Sequence, residues 1–365
     1  MSHSLSKKFT FGSLLLFALP TTVMMVVMSL YTIVDGVFVS RFVSTNALSS
    51  VNIVYPVINI VLGISVMLSM GSNAIVAKKM GEGRPDSARE TFTAIILLNI
   101  IIGLAFAIIG NLTAVPLSRM LGASDLLLED CVTYLRWQLA FAPSLMLQIQ
   151  FQMYFVTEGK PGIGLFLTLL AGIANAALDY VLIVHENGDC RGSHCHGHRL
   201  HHTGLIGLIY FAAARQSLWF VRPRFVKKEL GEACLNGSSE MVTNLSSGVI
   251  TFLFNLLMMH FAGEDGVAAI TIIQYSQFLL NALFMGFSQG VSPVISFNYG
   301  SQNHQQLRQV FKTSLIFTAA SSLAVFLMAQ LGGSLVVEIF ARRGTPVYEL
   351  ARHGFMIFAC SFLFS

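Results

Sequence analysis

Charged residues are scarce in this sequence, and their scarcity sets the class of protein. Asp, Glu, Lys and Arg make up 11% of the 365 residues, whereas roughly a quarter of the residues in a soluble globular domain are charged. Hydrophobic residues make up 54%, and the mean hydropathy is +0.69. This composition excludes an ordinary soluble protein and predicts a polytopic membrane protein.

Cysteine and proline are also few, and each scarcity excludes a further class. The five cysteines lack the spacing of a secreted disulfide framework: Cys131, Cys190, Cys195, Cys234 and Cys360. Nine prolines against 30 glycines favour closely packed membrane helices over a strand-rich barrel. A net charge of +4 without a basic stripe argues against a nucleic-acid partner, and no nucleophile–base pairing or phosphate loop indicates an enzyme. We therefore expect an all-α membrane protein that is not an enzyme.

Long apolar runs follow one another along the chain, each able to cross a bilayer as a helix. They cover residues 9–34, 46–76, 92–115, 132–156, 163–184, 241–262, 267–296, 314–337 and a last run from 351. Lys and Arg concentrate in alternate loops, so the positive-inside rule predicts a cytoplasmic amino terminus. This alternation requires a sixth span between Val184 and Arg215. We expect a multi-pass protein of a bacterial-type inner (plasma) membrane.

The sequence repeats itself at a shift of about 219 positions. The shift aligns Gly71 with Gly290, Gly81 with Gly300, Arg89 with Arg308 and Phe92 with Phe311. Because an even number of spans separates the halves, the repeats are predicted to be parallel, related by an axis along the membrane normal. We expect a six-helix lobe over 1–214, a cytoplasmic linker over 215–236, and a second lobe over 237–365. That second lobe would be incomplete, truncated in its fourth helix.

Polar residues in two of the apolar runs are the first candidates for function. Asn175 and Asp179 are spaced i, i+4 in the fifth run, so on a helix they share one face. Asp35 ends the first run, and Pro20 within that run can kink its helix. A carboxyl group at membrane depth is costly and usually meets an ion, a proton or a substrate. These residues therefore suggest transport.

Residues 185–202, HENGDCRGSHCHGHRLHH, hold six of the ten histidines and allow two interpretations. Imidazole and thiolate bind Zn or Cu well, which makes candidate metal ligands of His194, Cys195, His196 and His198. Yet no paired Cys-x-x-Cys spacing is present, and the topology requires a helix here. Alternatively the reading frame is shifted: for one choice of codons, reading one base later gives MKMGIAGAAIATGIGY followed by Thr, an apolar small-residue segment of the kind that packs between helices.

Three stretches of this duplicated sequence resemble parts of a known family. They are the run from Pro20 to Asp35 with the Gly-Val-Phe that follows it, the loop from Gly81 to Arg89, and the segment from Asn175 to Tyr180. Together they resemble the multidrug and toxic compound extrusion (MATE) family of secondary transporters. The resemblance implies twelve helices in two lobes around a cleft that opens alternately to either side. It also implies export of cationic amphipathic compounds coupled to inward Na⁺ or H⁺, with no cofactor.

The resemblance further implies where the coupling ion binds. Asp35, Asn175 and Asp179 match the cation-binding or proton-binding residues of the family's amino-terminal lobe, and Gln150 is an approximate match for a polar residue of the fourth helix. In the family, a hydroxyl residue on the sixth helix is also implicated in binding the cation or proton. The shifted reading frame supplies a Thr near the corresponding position. Two carboxylates in one low-dielectric lobe favour a bound Na⁺ or a shared proton.

Other features leave alternatives open. In the second lobe, Gln274, Gln277 and Asn281 are candidates to line the substrate cleft. A flippase for lipid-linked precursors would share the architecture but would need a more cationic cleft, for which only Arg136 is a candidate. A membrane metal-binding protein built on residues 185–202 is a different class. A further alternative is an inactive remnant, because the chain would have two defects: a disrupted sixth helix over residues 185–202 and a second lobe that is truncated in its fourth helix. We expect small-molecule cations and the lipid bilayer as partners, and a monomer.

Overall fold

The computed structural model describes residues 4–42, 45–179, 201–213 and 216–364, and within them the chain is helical with no strand. The first half contains α1 (Phe11–Phe42), α2 (Thr45–Gly81), α3 (Pro85–Met120), α4 (Leu128–Ala140), α5 (Ala142–Thr157), α6 (Pro161–Asp179) and α7 (His201–Ala213). The second half contains α8 (Lys227–Gly263), α9 (Asp265–Gly300), α10 (His304–Phe340) and α11 (Pro346–Ala359). The all-α prediction is confirmed.

Local sequence explains where several of these helices begin. Proline occupies the first turn of α3, α5, α6 and α11, where its missing N–H costs nothing and its fixed φ suits the helix. At the start of α10, the Asn303 side chain accepts a hydrogen bond from the Gln306 amide at 3.1 Å. At the start of α11, Thr345 Oγ1 accepts one from the Tyr348 amide at 3.2 Å. Both are side-chain caps of amides that would otherwise lack a partner.

The helices repeat in the order that the sequence shift predicts. α2 and α9 end at Gly81 and Gly300, while α3 and α10 begin at Pro85 and His304, so both pairs are 219 positions apart. α1 corresponds in the same way to α8, and α4 to α11. The parallel duplication is therefore present in the fold, with α4 and α11 at the start of the fourth span of each lobe.

Among the described residues, six helices are long and apolar enough to cross a membrane, by length and composition: α1, α2, α3, α8, α9 and α10. α4 and α5 count as a seventh span if they are taken together, since they are bent by 48° at Phe141. Pro143 follows this bend in the first turn of α5. It lies so close to α3 that a Cβ on Gly103 would approach its Cα to 2.6 Å. Tight packing against α3 thus accompanies the bend.

The two lobes pack closely at one end of the molecule, here called the linker end, which holds residues 216–226 and the loops 82–84 and 301–303. There α2 and α9 cross at equivalent glycines. A Cβ on Gly81 would overlap the Phe297 carbonyl, and a Cβ on Gly300 would overlap the Lys78 carbonyl. Such close approach of two backbones is possible only without a side chain. The lobes are therefore closed against each other at this end.

Residues 216–226 are held against the first lobe. Glu158 Oε1 and Oε2 accept hydrogen bonds from the amides of Ser217 and Leu218, at 2.8 and 3.0 Å. Arg89 donates to the Ser217 carbonyl at 3.0 Å, and its guanidinium lies 3.4 Å from the ring centroid of Trp219. The linker predicted over 215–236 therefore includes both this docked segment and the first ten residues of α8, 227–236.

Candidate transport site

The helices that carry the predicted cation ligands pack together in the first lobe. α1 and α6 lie side by side, and a buried amide on α5 contacts both. Gln152 is 4% exposed; its Nε2 donates to Thr168 Oγ1 on α6 at 3.2 Å and lies 3.9 Å from the sulfur of Met28 on α1. Gln152 thus marks a polar point inside the junction of α1, α5 and α6.

The positions predicted from sequence lie further along the same two helices. Position 35 is in α1, seven residues beyond Met28, and positions 175 and 179 are in α6, seven and eleven residues beyond Thr168. Residues seven or eleven apart on a helix share a face. The side chains of Asp35, Asn175 and Asp179 lie outside the described residues. The fold therefore brings their helices together, while the cation site itself stays a prediction.

Gln150, the residue first matched to the fourth helix of the family, has different neighbours. Its Oε1 accepts from Asn99 Nδ2 on α3 at 2.8 Å, and its Nε2 donates to Ser72 Oγ on α2 at 3.1 Å. Tyr154 is hydrogen-bonded to the same Ser72 hydroxyl at 3.1 Å. Gln150 is completely buried, so it joins a polar network between α2, α3 and α5. The polar residue of α5 between α1 and α6 is Gln152.

Within the described ranges, some buried amide atoms on α2 and α3 have no hydrogen-bond partner. They are Asn73 Oδ1 and Nδ2 and Asn99 Oδ1. An unpaired buried polar group costs about 1–3 kcal/mol, so such groups are rare without a purpose. Sequence reasoning missed Ser72, Asn73, Asn99 and Gln152. A search for every amide and hydroxyl within the apolar runs would have found them, although it could not have shown which helices they join.

The amides predicted to line the cleft lie on α9 of the second lobe. Gln274 is half-buried, and its Nε2 donates to Thr251 Oγ1 on α8 at 3.3 Å. Asn281 has a buried Oδ1 with no hydrogen-bond partner among the residues that the structure describes, and Gln277 is half-buried. Gln274 therefore places a polar group at the junction of α8 and α9. Their contact with a substrate stays a prediction.

The candidate metal ligands His194, Cys195, His196 and His198 lie outside the described residues. Within the described ranges, no group of three His, Cys, Asp or Glu side chains is arranged to hold a metal ion. Pro20 lies inside α1, which the structure assigns as one helix from Phe11 to Phe42. The kink at Pro20 stays a prediction.

A buried ion pair joins the lobes at the linker end. Lys79 Nζ on α2 lies 2.7 Å from Glu229 Oε1 on α8 and donates to Thr91 Oγ1 on α3, also at 2.7 Å. The Thr91 hydroxyl in turn donates to Glu229 Oε2 at 2.9 Å. The two charged side chains are only 8% and 23% exposed. The first turn of α8 is thereby fixed to α2 and α3 of the opposite lobe.

Comparison with known proteins decides the family. A family model described as MatE matches residues 20–181 and 241–365. The chain belongs to the MatE family. The resemblance seen in the sequence is confirmed, and because MATE proteins are transporters, this chain is a membrane transporter of small molecules and not an enzyme. The matched ranges leave out residues 182–240, which include the histidine-rich segment.

Individual relatives are distant. Multidrug export protein MepA of Staphylococcus haemolyticus is 21% identical over 339 residues, covering 91% of this chain and 74% of that protein. A FAD transporter of Shewanella oneidensis is 25% identical over 170 residues, covering 47% of this chain and 37% of that protein. A multidrug resistance MATE transporter solved in an outward-facing conformation aligns with a TM-score of 0.89 at 18% identity, covering 98% of this chain and 80% of that one. The MATE fold is thus shared over almost the whole chain.

Proposed function

We propose that this MATE protein is a secondary active antiporter that exports cationic amphipathic compounds in exchange for Na⁺ or H⁺ by alternating access. The observation that carries the proposal is the buried Gln152 amide between α1 and α6. The helix faces that meet at this amide continue to positions 35, 175 and 179. Two carboxyl groups in such a low-dielectric junction cannot both ionise cheaply, so one Na⁺ or one shared proton would relieve their repulsion.

We also propose that the linker end faces the cytoplasm of a bacterial-type inner membrane and that the protein works as a monomer. Basic residues concentrate at the linker end: Lys7, Lys8, Lys78, Lys79, Arg84, Arg89, Lys160, Arg222, Arg224, Lys227, Lys228, Arg308 and Lys312. The opposite end has fewer: Arg119, Arg136, Arg342, Arg343 and Arg352. An excess of Lys and Arg in short loops is typical of the cytoplasmic side. The amino terminus, which precedes α1 at the linker end, would then be cytoplasmic.

Export of an anionic cargo is the second candidate function, and the FAD transporter among the relatives favours it. An anion at membrane depth requires an unpaired basic side chain in the cleft. Among the side chains that the structure describes, Lys79 is the basic one that is buried, and its ammonium is paired with Glu229. Arg136 is exposed. A cationic cargo therefore fits the described residues better.

Transport and ion binding in reconstituted protein test the proposal. Proteoliposomes would be given an inward Na⁺ gradient or an inward H⁺ gradient, and efflux of a fluorescent cationic dye would be followed. Asp179→Asn and Asp35→Asn should abolish gradient-driven efflux. Equilibrium ²²Na⁺ binding to the purified protein, at two pH values, separates a coupling-ion defect from a cargo defect. Undiminished gradient-driven efflux by Asp179→Asn would refute the cation site.

Gln152 provides the sharper variant because its neighbours are known. Gln152→Leu keeps the volume of the side chain but removes the donor to Thr168, so ion binding should weaken by about tenfold, as expected for one buried hydrogen bond of about 1.4 kcal/mol. Gln330→Leu is the matched control, since Gln330 donates to the Met356 carbonyl in the second lobe at 2.9 Å. Equal losses of ion binding in Gln152→Leu and Gln330→Leu would mean that the protein is destabilised in general and that Gln152 has no specific role.

A further inference from the structure

A groove of about 1020 Å³ lies between the lobes at the linker end. It is formed by the last turns of α2 and α9, the first turns of α8 and α10, and the loop after α2. Five basic side chains line it: Lys78, Lys79, Arg84, Lys228 and Arg308. Three acidic side chains also line it: Glu82, Glu229 and Glu232. The groove therefore has an excess of positive charge, supplied by both lobes.

Much of the acidic charge is already engaged. Glu229 is paired with Lys79 at 2.7 Å, and Glu82 lies between Lys78, at 3.9 Å, and Arg84, at 3.2 Å. Among the described residues, neither Lys228 nor Arg308 has a carboxylate within ion-pair distance. Their charges face the groove with an excess of basic neighbours. Closing the lobes brings these like charges together, which is unfavourable unless an anion lies among them.

The start of α8 adds further positive potential. The helix begins at Lys227 after Val226, which provides no side-chain cap. The first amides of a helix lack intrahelical partners and lie at the positive end of its dipole, an arrangement that favours phosphate groups. Lys228 comes from this same first turn. An anion in the groove could therefore contact both the side chain and the helix start.

The groove also has an apolar wall next to its basic residues. Ile75, Ile295, Leu307 and Phe311 line it, and Phe311 remains 55% exposed. A basic end beside an apolar wall matches a phosphate group attached to a hydrocarbon chain. We propose that this groove binds a phosphate-bearing anion, and that the bound anion holds the linker ends of the two lobes together. The anion is distinct from the transported compound and from the coupling ion, so this inference does not depend on the proposed antiport.

Because the anion would bind the closed arrangement more tightly than the open one, it would shift the population towards closure. The phosphate could belong to an anionic phospholipid or to a soluble compound. Phosphatidylglycerol in the bilayer and inorganic phosphate or glycerol phosphate in solution are the two probes that distinguish these sources. Each is tested separately, on the whole protein in nanodiscs.

Paired charge variants locate the site. Lys228→Gln with Arg308→Gln removes two charges of the groove, while Arg222→Gln with Arg224→Gln removes two exposed charges at the same end but outside it. Retention of phosphatidylglycerol against phosphatidylcholine would be measured by native mass spectrometry. The groove variant should bind about thirtyfold more weakly, since each basic residue near a membrane surface contributes about 1 kcal/mol. The control variant should bind like the unaltered protein.

Closure supplies a second readout. Cys234 on α8 is partly buried against the first lobe, so its labelling by a water-soluble maleimide reports separation of the lobes there. Phosphatidylglycerol should slow this labelling in the unaltered protein and in the control variant, but not in the groove variant. If inorganic phosphate or glycerol phosphate has this effect in pure phosphatidylcholine, the source is soluble. Equal effects on the two variants, or no effect of any probe, would overturn the proposal.

Discussion

The starts of α1 and α8 occupy equivalent places in the two lobes, yet they contact the opposite lobe through different chemistry. On the α1 side, Leu5, Phe9, Leu14 and Ala18 form an apolar cluster with α9 and α10. On the α8 side, Ala233 packs against Ile75 and Ile95 in a smaller cluster, next to the ion pair of Lys79 and Glu229. The α1 side combines apolar burial with a neutral hydrogen bond, from Gln306 Nε2 to the Phe9 carbonyl at 2.9 Å, and the α8 side has a charge pair.

Equivalent positions show how the difference arises. Lys79, Thr91 and Glu229 correspond at the 219-residue shift to Asn298, Val310 and Thr10. Asn298 donates to the Val294 carbonyl of its own helix at 2.8 Å, and Thr10 bonds locally to Ser13. None of these bonds crosses between lobes. Duplication thus preserved the backbone crossing, while the side chains that stabilise the contact between the lobes diverged. Raising the ionic strength should therefore weaken the contact on the α8 side and not the contact on the α1 side.

The glycine crossing is common to both sides, and breaking it should have the largest effect. Gly81→Ala and Gly300→Ala each place a Cβ on a backbone carbonyl of the other lobe, and such overpacking costs about 1–3 kcal/mol. Because the overlap is with backbone atoms, which cannot move aside, the cost belongs at the upper end of this range, and closure at the linker end should weaken by about a hundredfold. Faster maleimide labelling of Cys234, normalised to the unfolded protein, would measure it.

Gly162→Ala is the matched control for the glycine variants. Gly162 is also near the linker end, in the first turn of α6, and a Cβ there meets no atom within 4 Å. It should label at the rate of the unaltered protein. If Gly162→Ala opened the linker end as much as Gly81→Ala does, the close crossing of α2 and α9 would not be what keeps the lobes together.

The charged side can be tested by removing one partner. Glu229→Gln leaves the Lys79 ammonium, whose side chain is 8% exposed, without its counter-charge. Losing one partner of a fully buried pair costs about 3–5 kcal/mol, and the partial exposure of Glu229 reduces this to about 2 kcal/mol. Cys234 labelling should therefore rise by about thirtyfold at low salt. Glu232→Gln, one turn further along α8 and without an ion pair among the described residues, should raise labelling much less.

Exchanging the chemistry of the two sides sharpens the comparison. Lys79→Asn, Thr91→Val and Glu229→Thr together give the α8 side the residues of the α1 side. Ionic strength should speed Cys234 labelling in the unaltered protein, because salt screens a partly exposed pair. This increase with ionic strength should be lost in the triple variant. A salt dependence that survives the exchange would mean that other charges at the linker end govern closure.

The sequence predicted the fold well because its two strongest patterns, the apolar runs and the internal repeat, each correspond directly to a feature of the structure. Apolar runs gave the spans, and the 219-residue shift that aligns Gly81 with Gly300 in sequence also relates the ends of α2 and α9 in space. It could not show that these glycines cross. The pairing of Lys79 with Glu229 was equally hidden, because the partners are 150 positions apart and only the packing of the lobes brings them together.

The candidate site was predicted less completely. Gln150 and Gln152 are two residues apart on α5, so they lie on nearly opposite faces of the helix. That helix is surrounded by other helices, and its glutamines at 148, 150 and 152 are not confined to one face, so no single polar stripe marks which face meets α1 and α6. The amide on that face was therefore missed, although α1 and α6, which carry the predicted positions 35, 175 and 179, do pack together there.

The linker is the remaining difference between the two sides, and it should give the smallest effect. Burial raises the pKa of the Glu158 carboxyl, although the amides of Ser217 and Leu218 and the cations Lys160 and Arg89 partly offset this. A carboxyl whose pKa is raised on docking binds more protons when docked, so the docked linker is most stable below the ordinary pKa and loses stability as pH rises through the raised one. Hydrogen exchange of residues 216–221, corrected for intrinsic rates, should thus show more opening at pH 7 than at pH 5. Glu158→Gln should remove this pH dependence while keeping an acceptor, and a linker whose opening increases on acidification would contradict the assignment.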